Sequence, residues 1–188
     1  MRVLRVSFLV LVAAVSVLRC GQALPEQATV RRVIDGDTIE LTDGRLIRYL
    51  GIDTPELRRR EGDRWVIDPE PFGQDAKDAN ARLVEGKTVT LEYDAQTHDR
   101  YGRLLAYVYV DGQMVNAKLL EEGYASALTI PPNVRYTERF RRLVQKARRT
   151  QRGLWAPPMG GGAPAYPATG VAADRQAGHV APPEAGDD

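Results

Sequence analysis

Asp35 and Asp37 stand either side of Gly36, directly after a short apolar run, and Asp53-Thr54-Pro55-Glu56 adds two more acids and a hydroxyl. Arg48 lies between these stretches, and Arg103 closes the segment Asp99-Arg100-Tyr101-Gly102-Arg103. Taken singly, each has an ordinary explanation. Asp35 and Asp37 can cap a turn through side-chain to backbone bonds. Pro55 presets φ for another turn. A strand arginine such as Arg48 can lay its stem along apolar surface, and Tyr101-Gly102-Arg103 can be a loop re-entering a strand. Taken together, they supply every part that phosphodiester hydrolysis needs: oxygen ligands for a hard cation, fixed cations for the charge developing on phosphate, and a base for water.

On this reading Asp37 and Asp53, at the ends of neighbouring strands, hold one divalent ion, with backbone carbonyls and waters completing its shell. The only histidines are His98 and His179, so soft or nitrogen-rich coordination of the zinc type is disfavoured. Arg48 and Arg103 can grip phosphate oxygens in the forked geometry that lysine does not reproduce. Glu56, three residues beyond Asp53, is the candidate general base. No serine lies in a nucleophile-elbow or P-loop context, and the single cysteine, Cys20, falls in the leader, so cysteine and serine nucleophile chemistries find no support.

The chain has 188 residues, 27% of them charged and 43% hydrophobic, which fits one globular domain with appendages. Arg2 and Arg5 followed by the apolar run Val6 to Leu18 read as an export signal, too short to span a bilayer comfortably, with cleavage expected after Ala23. Residues 1–23 are therefore expected to be removed and the mature protein, without a membrane span, to be secreted or periplasmic. Lipid anchoring at Cys20 is the weaker alternative because Arg19 precedes it where a small residue is wanted. The domain expected at 24–156 carries 22 Lys plus Arg against 21 Asp plus Glu, so nothing attracts nucleic acid globally. The exception is local: residues 135 to 152 hold eight basic residues and one acid, Glu138, which suits either a solvated helix face or a phosphate-facing one. From 157 to 188 Pro, Gly and Ala dominate and large apolar residues nearly vanish, the composition of a disordered tail.

The elements that must position the candidate residues follow from patterning. Short β-branched and apolar runs predict strands at 28–34, 37–42 and 45–52, the last two joined by a tight turn at Asp43-Gly44. Residues 53–71 read as a long irregular surface loop. Phe72, Ala76, Ala79 and Leu83 at helical spacing predict a helix over 72–84, stopped by Gly86. Strands are expected at 88–94 and 103–110, then a turn at Asp111-Gly112, a short helix near 114–122 ending at Gly123, and a last helix over about 136–151 with Phe140, Leu143, Val144 and Ala147 on one stripe. Trp155 is expected to pack back on the core. Strands and helices in this order, without regular alternation, exclude a doubly wound parallel sheet and favour a small five-stranded barrel with helices packed on it, a mainly β form of the α+β class.

The strings VIDGDT, RYLGIDTPE, DRYGRLLAYVYVDGQMVN and the later GLW, in this order over residues 28 to 156, resemble the thermonuclease (staphylococcal nuclease) family. The resemblance implies an OB-fold barrel with three packed helices and a calcium-dependent endonuclease that cleaves DNA and RNA, single strands preferred, to 3′-phosphorylated ends, acting as a monomer. It implies further that Asp37 and Asp53 bind Ca2+ with the backbone carbonyl of Thr54, that Arg48, Glu56 and Arg103 are catalytic, that Asp35 supports the metal site, and that Tyr101 with Arg100 contacts the nucleotide. Two departures stand out. Leu128-Thr129-Ile130 replaces tyrosines that would flank a bound base, removing a stacking surface. The stretch Leu57 to Glu70 is longer and carries Arg58, Arg59, Arg60 and Arg64, which are expected to compensate by contacting phosphate. A flat salt dependence in a triple alanine variant of Arg58, Arg59 and Arg60 would support that. The competing reading is a non-catalytic OB-fold module that binds nucleic acid or protein, or an interaction domain whose basic last helix binds an acidic partner.

Overall fold

The computed structural model describes residues 23–62, 64–67 and 70–157. The proposed signal segment up to residue 22 and the tail from residue 158 lie outside the described residues. In chain order the elements are β1 (Gln27–Asp35), β2 (Thr38–Leu41), β3 (Leu46–Tyr49), β4 (Ile52–Asp53), β5 (Arg58–Glu61), β6 (Arg64–Ile67), α1 (Gly73–Val84), β7 (Thr88–Glu92), β8 (Leu104–Val110), β9 (Gln113–Met114), α2 (Val115–Glu122), β10 (Ser126–Ala127) and α3 (Thr137–Arg149), followed by a 3₁₀ turn at Gly153–Trp155.

Strands β3, β2, β1, β7 and β8 form an antiparallel run that closes on itself where β3 meets β8 in parallel, Arg48 lying opposite Leu105. Closure removes the open edges of a free sheet. This is the five-stranded OB-fold barrel with three packed helices, mainly β, that the sequence predicts. Its interior is filled by the inward residues of every strand, among them Val30, Ile39, Ile47, Val89, Ala106 and Val108, each nearly or wholly sealed from solvent. The helices close the openings. α1 contributes Ala76, Ala79 and Val84, α2 contributes Leu119 and Leu120, and α3 contributes Phe140, Val144 and Ala147, with Trp155 packing back beneath them as its sequence position suggests.

Three local departures from the expected elements have physical reasons. The strand expected over 45–52 breaks after Tyr49, because Gly51 takes φ +78° and any β-carbon there would meet the Phe140 ring at 2.5 Å. The chain then re-enters as β4, which pairs with β10 and so delivers Asp53 to the mouth of the barrel. Second, residues 53–71 are not wholly irregular: β5 and β6 form a hairpin, Arg58 opposite Ile67 through Glu61 opposite Arg64, hydrogen-bonded as a sheet of its own and apart from the barrel. Third, of the two DG turns only the second has both residues at positive φ, Asp111 at 49° and Gly112 at 76°; it forms a two-residue hairpin between β8 and β9 before α2 begins. At Asp43-Gly44 only the glycine does so, and the turn is wider, Leu41 N–H donating to the Arg45 carbonyl.

Candidate active site

The Asp35-Gly36-Asp37 stretch is a turn, and the turn is what presents the second carboxylate. Asp37 N–H donates to Asp35 Oδ1 at 3.1 Å, curling the chain between β1 and β2. Gly36 is required there because a β-carbon would lie 2.7 Å from the Thr54 side chain. That close approach lets Thr54 N–H donate to Asp37 Oδ2 at 3.0 Å, locking the turn to the Asp53-Thr54 segment. From below, the turn is held by α1: Asn80, fully buried, donates through Nδ2 to the Asp35 carbonyl at 3.3 Å and accepts from the Tyr49 hydroxyl at 3.0 Å.

Arg48, projecting from β3, lies between the two carboxylates that the sequence assigns to a cation. Its Nη1 contacts Asp37 Oδ2 and its Nη2 donates to Asp53 Oδ1 at 3.0 Å. Asp35, Asp37 and Asp53 are all nearly sealed from solvent, and Glu56 shares their field from the same cleft. Burial, then the proximity of Asp35, pushes Asp37 up to about 6 even though Arg48 pulls the other way. Burial together with Asp35 and Asp37 pushes Glu56 up to about 9. Arg48, despite a burial that disfavours its charge, is held firmly protonated by Asp37 and Asp53. Four carboxyl groups thus crowd one buried guanidinium, a local surplus of negative charge.

Glu56 is fixed in place by the segment that leads into α1. Glu70 N–H donates to the Glu56 carbonyl at 2.8 Å, Glu56 N–H donates to Glu70 Oε2 at 3.3 Å, and Gly73 lacks a β-carbon where one would stand 2.8 Å from that same carbonyl. The ends of the inserted hairpin are therefore clasped beside the candidate base.

On the other wall, Asp99 builds the loop that carries Arg103. Its Oδ1 accepts the N–H of both Tyr101 and Arg103 at 2.9 Å, and its Oδ2 accepts Arg103 Nε at 2.7 Å. Arg103 keeps only 8% of its surface exposed, so its remaining nitrogens point from a fixed stem. Tyr101 lies under two guanidinium groups, Arg100 at 4.7 Å and Arg103 at 5.7 Å from the ring centroid, with Arg100 also donating to its hydroxyl. Leu128 and Ile130, where stacking tyrosines are absent, line the opposite side as aliphatic surface. The cleft enclosed by these residues measures about 230 Å³ and contains Arg48, Asp53, Glu56, Arg100, Tyr101 and Arg103. Of the sequence-predicted residues, Asp35, Asp37 and Thr54 do not line it directly; they are bonded to one another beneath its floor.

Four positioning residues were not foreseen: Asn80, Asp99, Asn116 and Asn133. Asn116, fully buried on α2, accepts from Val108 N–H at 2.9 Å and donates to the Leu50 carbonyl at 2.8 Å, tying the break after β3 to β8. Asn133 exchanges two bonds with the backbone of Gln96 and so joins the two loops at the rim. Asp99 could have been read from its place four residues before Arg103, but a buried asparagine's partner lies too far along the chain for a local pattern to reveal it.

A closed five-stranded barrel with acids and arginines gathered at one mouth defines an OB-fold protein with a highly charged cleft. The model of the family described as staphylococcal nuclease homologue matches residues 46–157, and the chain belongs to that family. The endonuclease YokF of the SPbeta prophage of Bacillus subtilis (strain 168) is 41% identical over 133 residues, 68% of this chain and 43% of the relative. The thermonuclease of Staphylococcus hyicus is 40% identical over 130 residues, 68% of this chain and 74% of its own length. The endonuclease YncB of Bacillus subtilis (strain 168) is 41% identical over 133 residues, covering 61% of that protein. The match therefore spans less than half of YokF and under two thirds of YncB.

Proposed function

We propose that the protein is an exported, calcium-dependent endonuclease that hydrolyses DNA and RNA, single strands preferred, to 3′-phosphorylated products. The observation that carries this reading is the surplus of buried carboxyl groups around Arg48, facing Arg103 across one cleft. Asp37 and Glu56 are both pushed above the ordinary carboxylate range, by burial first and by the carboxylates beside them. A divalent cation is the group whose arrival would relieve that conflict, and an all-oxygen donor set suits a hard ion. Among the described residues no three His, Cys, Asp or Glu side chains form a ready-made cage. Asp37, Asp53 and the Thr54 carbonyl would hold the calcium, leaving the rest of its shell to water. When bound, the ion would polarise the phosphate as a Lewis acid.

The chain's own residues account for the rest. Arg103, anchored by Asp99, offers its remaining nitrogens to a phosphate in the cleft. Arg48 has a second partner available once positive charge satisfies Asp37 and Asp53, and its fork suits two phosphate oxygens. Glu56 is the base for the attacking water. Burial and the neighbouring carboxylates push it up to about 9, where it holds its proton near neutral pH. A cation held by Asp37 and Asp53 would offset their charge and so favour the ionised form of Glu56. Tyr101 with Arg100 forms the nucleotide-facing wall. Among the described residues no helix is long and apolar enough to cross a membrane. Export would be checked by N-terminal sequencing of protein recovered from the medium, expected to begin at Leu24.

Release of acid-soluble nucleotide from single-stranded DNA and RNA, with calcium and with chelator, tests the activity beside Arg103→Ala. Calcium-dependent release that the substitution abolishes is expected. No release from the wild-type chain on either substrate, with the fold intact by circular dichroism, would leave a binding module instead.

A further inference from the structure

Charge in this domain is segregated. Residues 135 to 152 contribute eight basic residues and one acid, which leaves 14 basic against 20 acidic residues in the rest of 24–156. Apart from 135–152 the domain is net acidic, so the segment that contains α3 carries its largest concentration of basic residues. A solvated helix would balance its charge with neighbouring acids. α3 does so only along its flanks: Arg141 with Glu138, Lys146 with Glu121, and, just ahead of it, Arg135 with Glu92. On the side opposite the buried Phe140, Val144 and Ala147, Arg142 and Arg149 stand a heptad apart, exposed, and no carboxylate among the described residues pairs with either.

The position of α3 gives this charge a direction. Asn133 and Ile130 line the cleft, and α3 begins four residues beyond Asn133. Phe140 is seated against Gly51, another residue of the cleft wall. From that end the 13 residues of α3 extend about 20 Å, at roughly 1.5 Å per residue. We infer that α3 is a second nucleic-acid contact, a basic rail on which Arg142 and Arg149 hold backbone phosphates of the single strand whose scissile bond lies in the cleft. The inference rests on the nuclease reading of that cleft and extends it from one nucleotide to a length of chain. It also supplies a reason why a cleft with no base-stacking tyrosines can retain polymeric substrate: affinity comes from phosphates rather than from bases.

The test measures binding of fluorescent oligonucleotides to the full chain in chelator, where cleavage is excluded, for wild type and Arg142→Gln/Arg149→Gln. Glutamine keeps helix propensity while removing charge. A 20-nucleotide strand should bind the double variant about tenfold more weakly, and the slope of log K against log salt should flatten by about 1.4, from about 0.7 for each of the two phosphates that the variant no longer neutralises on a single strand. A dinucleotide, which reaches only the cleft, should bind both proteins alike. Equal affinity and slope for the long strand overturn the rail while leaving the cleft reading intact. Failure of the wild type to bind the long strand in chelator also overturns the rail, and the nuclease reading then stands or falls on calcium-dependent release alone. Polyglutamate that competes with the strand as effectively as unlabelled oligonucleotide, through the same two arginines, would overturn nucleic acid as the occupant in favour of an acidic protein surface.

Discussion

At the scale of single residues, the cleft depends on groups whose hydrogen bonds hold other residues in place. Asp99 makes three bonds, two to backbone N–H groups and one to Arg103 Nε, so it fixes both the loop and the arginine. Removing it with Asp99→Ala frees the Arg103 stem, and a misplacement of about 1 Å in a charge-stabilising group costs on the order of a hundredfold in rate. kcat/KM for single-stranded DNA should fall by that order while circular dichroism stays unchanged. Asp99→Asn, which can keep the backbone bonds through its one oxygen but loses both the charge and the acceptor for Arg103 Nε, should fall by less. Equal losses in the two variants would show that the carboxylate's charge, not the loop it shapes, is what matters. Gly36 belongs to the same class, since its missing β-carbon is what admits Thr54 to Asp37. The acids and arginines that the fold gathers around the cleft were legible in the sequence because their types are unusual for their settings. Asn80, Asn116 and Asn133 were not, because each asparagine signals its role through partners as far as 66 positions away.

At the scale of elements, the five barrel strands and three helices declared themselves through period-2 and period-3.6 patterning. The β5–β6 hairpin did not. Its sequences, RRRE and RWVI, carry no alternation of apolar and polar residues, since a two-stranded ribbon standing apart from the barrel has no core face to pattern. The side chains of Arg58, Arg59 and Arg60, from which the sequence leads one to expect a phosphate contact, lie outside the described residues. The hairpin's isolation makes a prediction about stability. Replacing residues 58–67 by a short Gly-Ser turn removes no hydrogen bond of the barrel sheet and shortens a loop, a change worth only about 0.6 kcal/mol per doubling of loop length. The midpoint of urea unfolding should therefore barely move. A drop of several kcal/mol would mean that the hairpin is part of the core rather than an attachment to it.

At the scale of the whole molecule, two sets of acids pull stability in opposite directions with pH. Asp37 and Glu56 are raised when no ion is bound, from 3.8 to about 6 and from 4.5 to about 9, so the folded state holds more protons than the unfolded one across those windows. Stability must fall as pH rises through them. Glu92 and Asp94 are lowered, against the pull of burial, by bonds from Tyr109, Tyr107 and Arg135, so their contribution is present above the ordinary carboxylate range and lost as acid is added. In chelator, thermal scans should show Tm declining from pH 5 to pH 8. Calcium should raise Tm more at pH 8 than at pH 5, because at the lower pH it must displace protons to bind. A calcium increment that is the same at both values would count against Asp37 as its ligand.

The parallel seam between β3 and β8 has one more consequence. Arg48 is on one side of it and Arg103 immediately precedes the other, so two arginines more than fifty positions apart in the chain become neighbours only when the last gap in the barrel shuts. A partly made or unfolded copy owns both arginines but no cleft between them. Under the nuclease reading, a copy in which this seam has not formed should be inactive: hazard arrives with closure, wherever closure is completed.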